Sequence, residues 1–229
     1  MGDGQQKTGG RELDWLDKRV TRVGLDKFKE PYIDLTVSFR LPKRVAMLSN
    51  EFSDTFKLNQ ELKVGKMEEL PVLLHSQHIV WLNIEPDQWL EYLHHAYTRL
   101  KRAGYSASDM VMLLPTHKAG MEAVSSFRQM KVDVNHVFET ESEKSFHPSK
   151  KAFWMGDSRL KISTIHSFKG WELLNIMMYI PHQAAESESQ LDAMVHTALT
   201  RKKENLIVLN AHARYQEFGS KFPKSWQEQ

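Results

Sequence analysis

No cysteine occurs among the 229 residues. Disulfides are therefore excluded, and a zinc site would have to be built from histidines and carboxylates alone. The chain also lacks any apolar run of about 18 residues, so no membrane-spanning helix is expected. A dominant charge is absent too, since 31 Lys and Arg against 29 Asp and Glu leave a net charge of +2. Bulk charge thus does not mark a nucleic-acid binder, and any such contact must come from local placement. The first ten residues, MGDGQQKTGG, hold no apolar signal core, which makes the cytoplasm the expected location. No internal repeat recurs at a fixed period.

What is present is a packed-domain composition, 41% hydrophobic, arranged in alternating strand and helix signals. Residues 1–30 are polar, with few apolar anchors. Strands are expected at 31–39, 78–84, 110–115, 132–138, 160–165, 173–181 and 205–210, from β-branched alternation or short continuous apolar runs. Pro42 opens a helix with Val45, Leu48, Phe52 and Phe56 on one stripe. A second helix begins near Pro86 and Asp87 and ends at Gly104. Further helices are expected at about 120–130 and 187–200. Residues 59–70 and 139–158 read as polar connections. About six strands alternating with helices indicate an α/β fold, a parallel sheet with helices on both faces. In such sheets ligands bind at the carboxyl ends of the strands. The loops at 38–40, 116–119 and 166–172 are expected there.

Three stretches carry chemistry. In the first, His166-Ser167-Phe168-Lys169-Gly170-Trp171-Glu172 follows the strand around Thr164. Gly170 permits a tight turn, and hydroxyl, imidazole and backbone N–H groups in such a turn suit phosphate contacts. The second, Ala198-Leu199-Thr200-Arg201, closes a helix. Its guanidinium can stabilise charge on a transferring phosphoryl group; it also reads as a cation complementing the carbonyl end of the helix. The third, Ser38-Phe39-Arg40, lies between a strand and a helix. Phe39 offers an aromatic face for a base, or simply core.

The first stretch matches T-x-H-x-x-K-G-x-E at Thr164, His166, Lys169, Gly170 and Glu172, and the second resembles V-A-L-T-R, with His196 where a Tyr is usual and Thr197 where a Val is usual. Together they resemble the last two signature motifs of superfamily 1 DNA helicases of the UvrD/Rep/PcrA type. Ser38-Phe39-Arg40 resembles that family's N-Y-R element. Gly2-Asp3-Gly4-Gln5-Gln6 resembles the G-D-x-x-Q element that closes the first RecA-like domain, although glycine-rich starts are also common cloning remnants.

The resemblance implies a RecA-like domain, of the P-loop NTPase fold but without its own phosphate loop. Residues 1–30 would be the end of the first RecA-like domain and a linker, and 31–229 the second RecA-like domain. Arg201 and Arg40 would act on the γ-phosphate, with Gln6 as sensor. Phe39 would stack on adenine, and Gly170 and Glu172 would lie at the nucleotide, Glu172 on the ribose. Thr164, His166 and Ser167 would face single-stranded DNA, joined by Thr116 and His117, which read equally as a solvated loop. The implied cofactor is ATP with Mg²⁺, shared with an N-terminal RecA-like helicase half in cis or in trans. No G-x-x-x-x-G-K-[ST] phosphate loop occurs; Gly65-Lys66-Met67 lacks the upstream Gly and the following hydroxyl. The family's large inserted subdomain also has no counterpart in the spacing. A chain that holds DNA or a protein partner without hydrolysis is the alternative.

Eleven histidines invite a metal reading. The closest groups, His75 with His78 and His94 with His95, have no acidic partner at ligand spacing, and adjacent helix residues point to different faces. No metal site is expected. Trp81, Trp89 and Tyr97 sit at positions typical of core.

Overall fold

The computed structural model describes residues 7–8, 11–12, 43–58, 79–140, 148–168, 170–184 and 186–221. The chain divides into two compact units, Met1–Val37 and Ser38–Gln229. In the first, β1 (Lys7–Thr8) pairs antiparallel with β2 (Arg11–Glu12), Lys7 opposite Glu12.

The second unit is built on six strands: β3 (Ile79–Asn83), β4 (Met110–Leu114), β5 (Val134–His136), β6 (Leu160–Thr164), β7 (Leu173–Ile180) and β8 (Lys202–Asn210). Their order across the sheet is β3-β8-β7-β4-β6-β5, and every pairing is parallel. Parallel neighbours need crossovers, and helices supply most of them. These are α1 (Lys43–Thr55), α2 (Trp89–Arg102), α3 (His117–Gln129), α4 (Pro148–Ala152), α5 (Ile165–Phe168), α6 (Glu188–Leu199) and α7 (Gln216–Ser220). The expected α/β class is the one found. The strand expected at 31–39 lies outside the described residues.

The sheet is covered on both faces, and its central strands show how. All five residues of β4 are buried. Met110, Met112 and Leu114 point to one core with Leu93, Phe127, Ile162 and Met177. Val111 and Leu113 point to the other, with Phe52, Ile176, Met178, Val195 and Val208. Side chains alternate because the strand period is two, so a strand covered on both sides must be apolar throughout. Each fully buried side chain of this size contributes roughly 1.5–3 kcal/mol. Trp81 and Trp89 are core residues, 1% and 8% exposed.

Local chemistry sets the helix ends. α2 stops as the sequence indicated: Gly104 N–H donates to Lys101 O and Tyr105 N–H to Leu100 O, both at 3.1 Å, the paired bonds that close a helix. α6 starts with a capping box, in which Ser187 N–H donates to Gln190 Oε1 at 3.1 Å. α3 begins three residues before the expected 120, because Thr116 Oγ1 accepts from Ala119 N–H at 3.2 Å and caps it. The connection expected at 139–158 contains α4, a five-residue helix that polar composition hid.

Gly120 is a close approach. A Cβ there would stand 2.2 Å from the ring of Phe138, which is 1% exposed. Gly120→Ala is expected to destabilise the domain by about 1–3 kcal/mol, as overpacking does, despite alanine's better helix propensity. A denaturation midpoint unchanged or raised would contradict this packing.

Candidate functional site

The parallel sheet gives the domain two chemically distinct edges, and the motif residues divide between them. At the carboxyl edge, Thr164 ends β6, and its register partner Leu114 ends β4. Thr164 and Thr116 are therefore close neighbours in the fold, each at the mouth of a helical turn. Thr164 Oγ1 accepts from Ser167 N–H and donates to Ser167 Oγ, both at 3.1 Å. Thr164 is thus occupied in shaping its turn, while Ser167 keeps its hydroxyl hydrogen for an outside acceptor. His166 is exposed beside it. Thr116 likewise accepts within the cap of α3, leaving its own hydrogen to donate. His117 Nε2 accepts from Glu139 N–H at 2.9 Å, so a neutral ring carries its proton on Nδ1.

Glu172 and Arg201 stand elsewhere. The sequence expectation put 166–172 in one loop at the carboxyl edge; the structure corrects this. α5 and the residues after it return the chain to the amino edge, so Glu172 sits just before β7. There Leu173 pairs with Lys202, which places Glu172 and Arg201 immediately before partnered residues on adjacent strands. Both are half-buried. Gly170 makes the return with φ +100° and nothing within 4 Å of where a Cβ would sit. It is required there for its left-handed backbone and not for space. Trp171, between Gly170 and Glu172, is 40% exposed.

Arg201 is positioned by the end of α6. Its N–H donates to Ala198 O at 3.1 Å. The hydroxyls of Thr197 and Thr200 donate back to Ala193 O (2.8 Å) and Thr197 O (2.9 Å). The last turn is thereby closed on itself just before Arg201, whose side chain is half-buried with its Nε enclosed. Gln6, Ser38, Phe39, Arg40 and Lys169 lie outside the described residues.

Sequence reasoning missed the groups that hold these edges. Lys161 is fully buried in β6, and its ammonium donates to the carbonyls of Ser108, Asp157 and Arg159. Burial lowers its pKa, opposed by Asp157 and Asp109. Asp157 is in turn held well below the ordinary carboxylate range, chiefly by its hydrogen bonds from Arg159. Asn205 Nδ2 donates to Asn175 Oδ1 at 2.6 Å, and Asn175 Nδ2 to Asp109 O. These contacts tie the loops of the amino edge together. A Lys inside a buried strand was the available signal.

His196, the residue at the motif's usual Tyr position, faces α1. Its Nε2 meets Ser49 Oγ at 2.7 Å in a buried contact, and its ring lies near Phe52. Burial lowers its pKa below 6.5. The folded state therefore prefers the neutral ring, and the unfolded chain binds the extra proton first as pH falls. Stability is fully present above pH 6.5 and is lost as pH drops through the folded pKa, at up to about 1.4 kcal/mol per pH unit. His94 and His212 shift the same way. His196→Gln keeps a polar partner for Ser49 and cannot titrate. Chemical denaturation between pH 7 and 5 is expected to show a shallower loss for the variant, and equal slopes would remove His196 as the cause.

Among the described residues no three His, Asp or Glu side chains converge as a metal site. His94 instead meets Ser126 Oγ at 2.9 Å, and His95 is exposed. Among the described residues no helix is long and apolar enough to cross a membrane.

No protein-family model matches the chain, and no curated protein matches it at a significant level. Among the solved structures that align with the chain are the following two. The C-terminal domain of a possible DNA helicase from Lactobacillus plantarum WCFS1 aligns at 10% identity with a TM-score of 0.46, covering 76% of this chain and 88% of its own. The UvsW helicase of bacteriophage T4 aligns at 10% identity with a TM-score of 0.38, covering 92% of this chain and 75% of its own. At this identity and these scores, neither likeness speaks to activity.

Proposed function

We propose that this chain is the second RecA-like domain of an ATP-dependent helicase or translocase, contributing one wall of a composite ATP site and a track for single-stranded DNA. One observation carries the reading. Two stretches well apart in sequence, each resembling a helicase motif, deliver Glu172 and Arg201 to adjacent strand starts, Leu173 opposite Lys202. A carboxylate and a guanidinium carried at adjacent strand starts suit the ribose hydroxyls and the γ-phosphoryl group of a nucleotide.

ATP would supply the phosphoryl group whose transfer to water drives the cycle. In this chain Arg201 would neutralise charge on that group, and Glu172 would hold the sugar. Gln6, Phe39 and Arg40 would complete the wall. Among the described residues no three His, Asp or Glu side chains converge to hold Mg²⁺, and the sequence holds no phosphate loop. Both would come from another RecA-like domain, in cis or in trans. The opposite edge, with Ser167, His166, Thr116 and His117, would contact the phosphate backbone of one DNA strand through hydroxyl and imidazole donors.

The test is Mg²⁺-ATP hydrolysis with single-stranded DNA, by the chain alone and mixed with an N-terminal RecA-like helicase domain carrying a phosphate loop. The chain alone is expected to be inactive, and the mixture active. Hydrolysis by the chain alone, lost on Arg201→Ala, would refute the composite site. An inactive mixture that still binds DNA would favour a non-hydrolysing binding module.

A further inference from the structure

We propose that the single-strand track continues beyond the β6 turn, past the exit of β5, onto α4, where Lys150 and Lys151 contact further phosphodiesters. This rests on the reading that the carboxyl edge carries a nucleic-acid strand. The sheet order puts the exits of β4, β6 and β5 in a row, about 5 Å apart from strand to strand. α4 extends that row, and the fold holds it there. Glu139, just past β5, accepts from Lys150 N–H through Oε1 at 3.4 Å, and Asn135 Nδ2 donates to Ala152 O at 3.4 Å. The short helix is therefore fastened at its middle residue to the segment after β5 and at its last residue to β5 itself.

The same residues align the start of α3 with this row. Phe138 fills the space that Gly120 leaves open, and His117 meets the Phe138 ring edge-on at 5.6 Å while bonding Glu139 N–H.

Among the described residues the exposed charge along the row is basic. Lys118, Lys150 and Lys151 are exposed, as are Thr116, His117 and His166. The first turns of α3 and α4 contain no acidic residue. Glu139, the carboxylate among the described residues of these strand exits, is 4% exposed and turned inward. Among the described residues no carboxylate pairs with these three lysines. A basic row on a chain of net charge +2 is a local device of the kind that tracks a phosphate backbone. The lysine side chains carry the inference, and the terminus of so short a helix adds nothing to it.

The opposite edge supplies the control. Lys101 and Arg102, exposed at the end of α2, lie near the amino edge, off the row. Binding of a fluorescein-labelled oligo-dT 20-mer would be followed by anisotropy from low to moderate salt for wild type, Lys150→Gln/Lys151→Gln and Lys101→Gln/Arg102→Gln. The α4 pair is expected to bind more weakly. Its slope of log affinity against log salt should be smaller by about 1.4, two contacts at roughly 0.7 each for a single strand. The α2 pair is expected to match wild type. A wild-type slope in the α4 pair would overturn the extension, and a loss in His166→Ala would then show that the carboxyl-edge reading survives it. Equal losses in both pairs would reduce the row to bulk attraction and overturn it. No binding by the wild-type chain at low salt would overturn the extension together with the reading beneath it.

Discussion

Arg201→Ala is expected to lower DNA-stimulated ATP turnover of the reconstituted pair by roughly 10³–10⁵-fold, the range over which an arginine finger acts. The side chain leaves a helix end whose last turn is closed by Thr197 and Thr200, so removing it should not unfold α6. Arg201 also lies at the carbonyl end of α6, where a cation contributes only about 0.3–1 kcal/mol. The two roles separate cleanly. If Arg201 merely complements the helix dipole, Arg201→Lys should restore both stability and turnover. If it serves a phosphoryl group through a planar fork, Lys should restore stability and leave turnover low. Loss of activity in both variants with unchanged melting would support the catalytic role, and full activity of the Lys variant would argue for the dipole.

The second large effect lies on the other side of α6. Asp192, 2% exposed, accepts from Arg214 Nε and Nη2 at 2.9 Å each and from Tyr215 Oη at 2.7 Å. Arg214 also reaches Glu188 Oε2 at 2.7 Å. Burial, reinforced by the hydrogen bond to Asp192, drives the Tyr215 hydroxyl far above its usual pKa, so it remains a donor at any working pH. Asp192→Ala would leave this hydroxyl and the Arg214 fork without their acceptor. Breaking such a buried pair costs about 3–5 kcal/mol, a large share of the 5–15 kcal/mol typical of a domain. The melting temperature should fall by on the order of 10 °C. Glu188→Gln, on the exposed arm of the same cluster, should change stability by less than about 1 kcal/mol. Similar small losses in both variants would mean that the network does not hold the C-terminal turn to α6.

Much of the scaffold was legible because it depends on local periodicity. The apolar run at Met110–Pro115 is what a buried parallel strand requires, and Met110–Leu114 forms one, buried throughout. The stripe of α1, the stop at Gly104 and the start at Ser187 follow from side-chain spacing and backbone chemistry. α3 starts earlier than the expected 120 because Thr116, expected as a strand-end hydroxyl or a solvated loop, caps the helix through Oγ1. α4 was hidden because five polar residues fastened by Glu139 and Asn135 leave no periodic signal. Asp192 was missed although a carboxylate among Leu191, Met194 and Val195 on an otherwise apolar helix face demands a partner. Arg214 lies too far along the chain to be identified as that partner from spacing.

The sequence alone determined the α/β class and the alternation of helix and strand, because both are written in short windows of residue type. Only the tertiary structure decided that Thr164 and Glu172, a few residues apart, belong to opposite edges. It also decided that Glu172 and Arg201, far apart, begin adjacent strands. Parallel pairing requires each crossover to return the chain to the amino edge. Sequence neighbours are thereby separated across the sheet while residues distant along the chain are brought side by side.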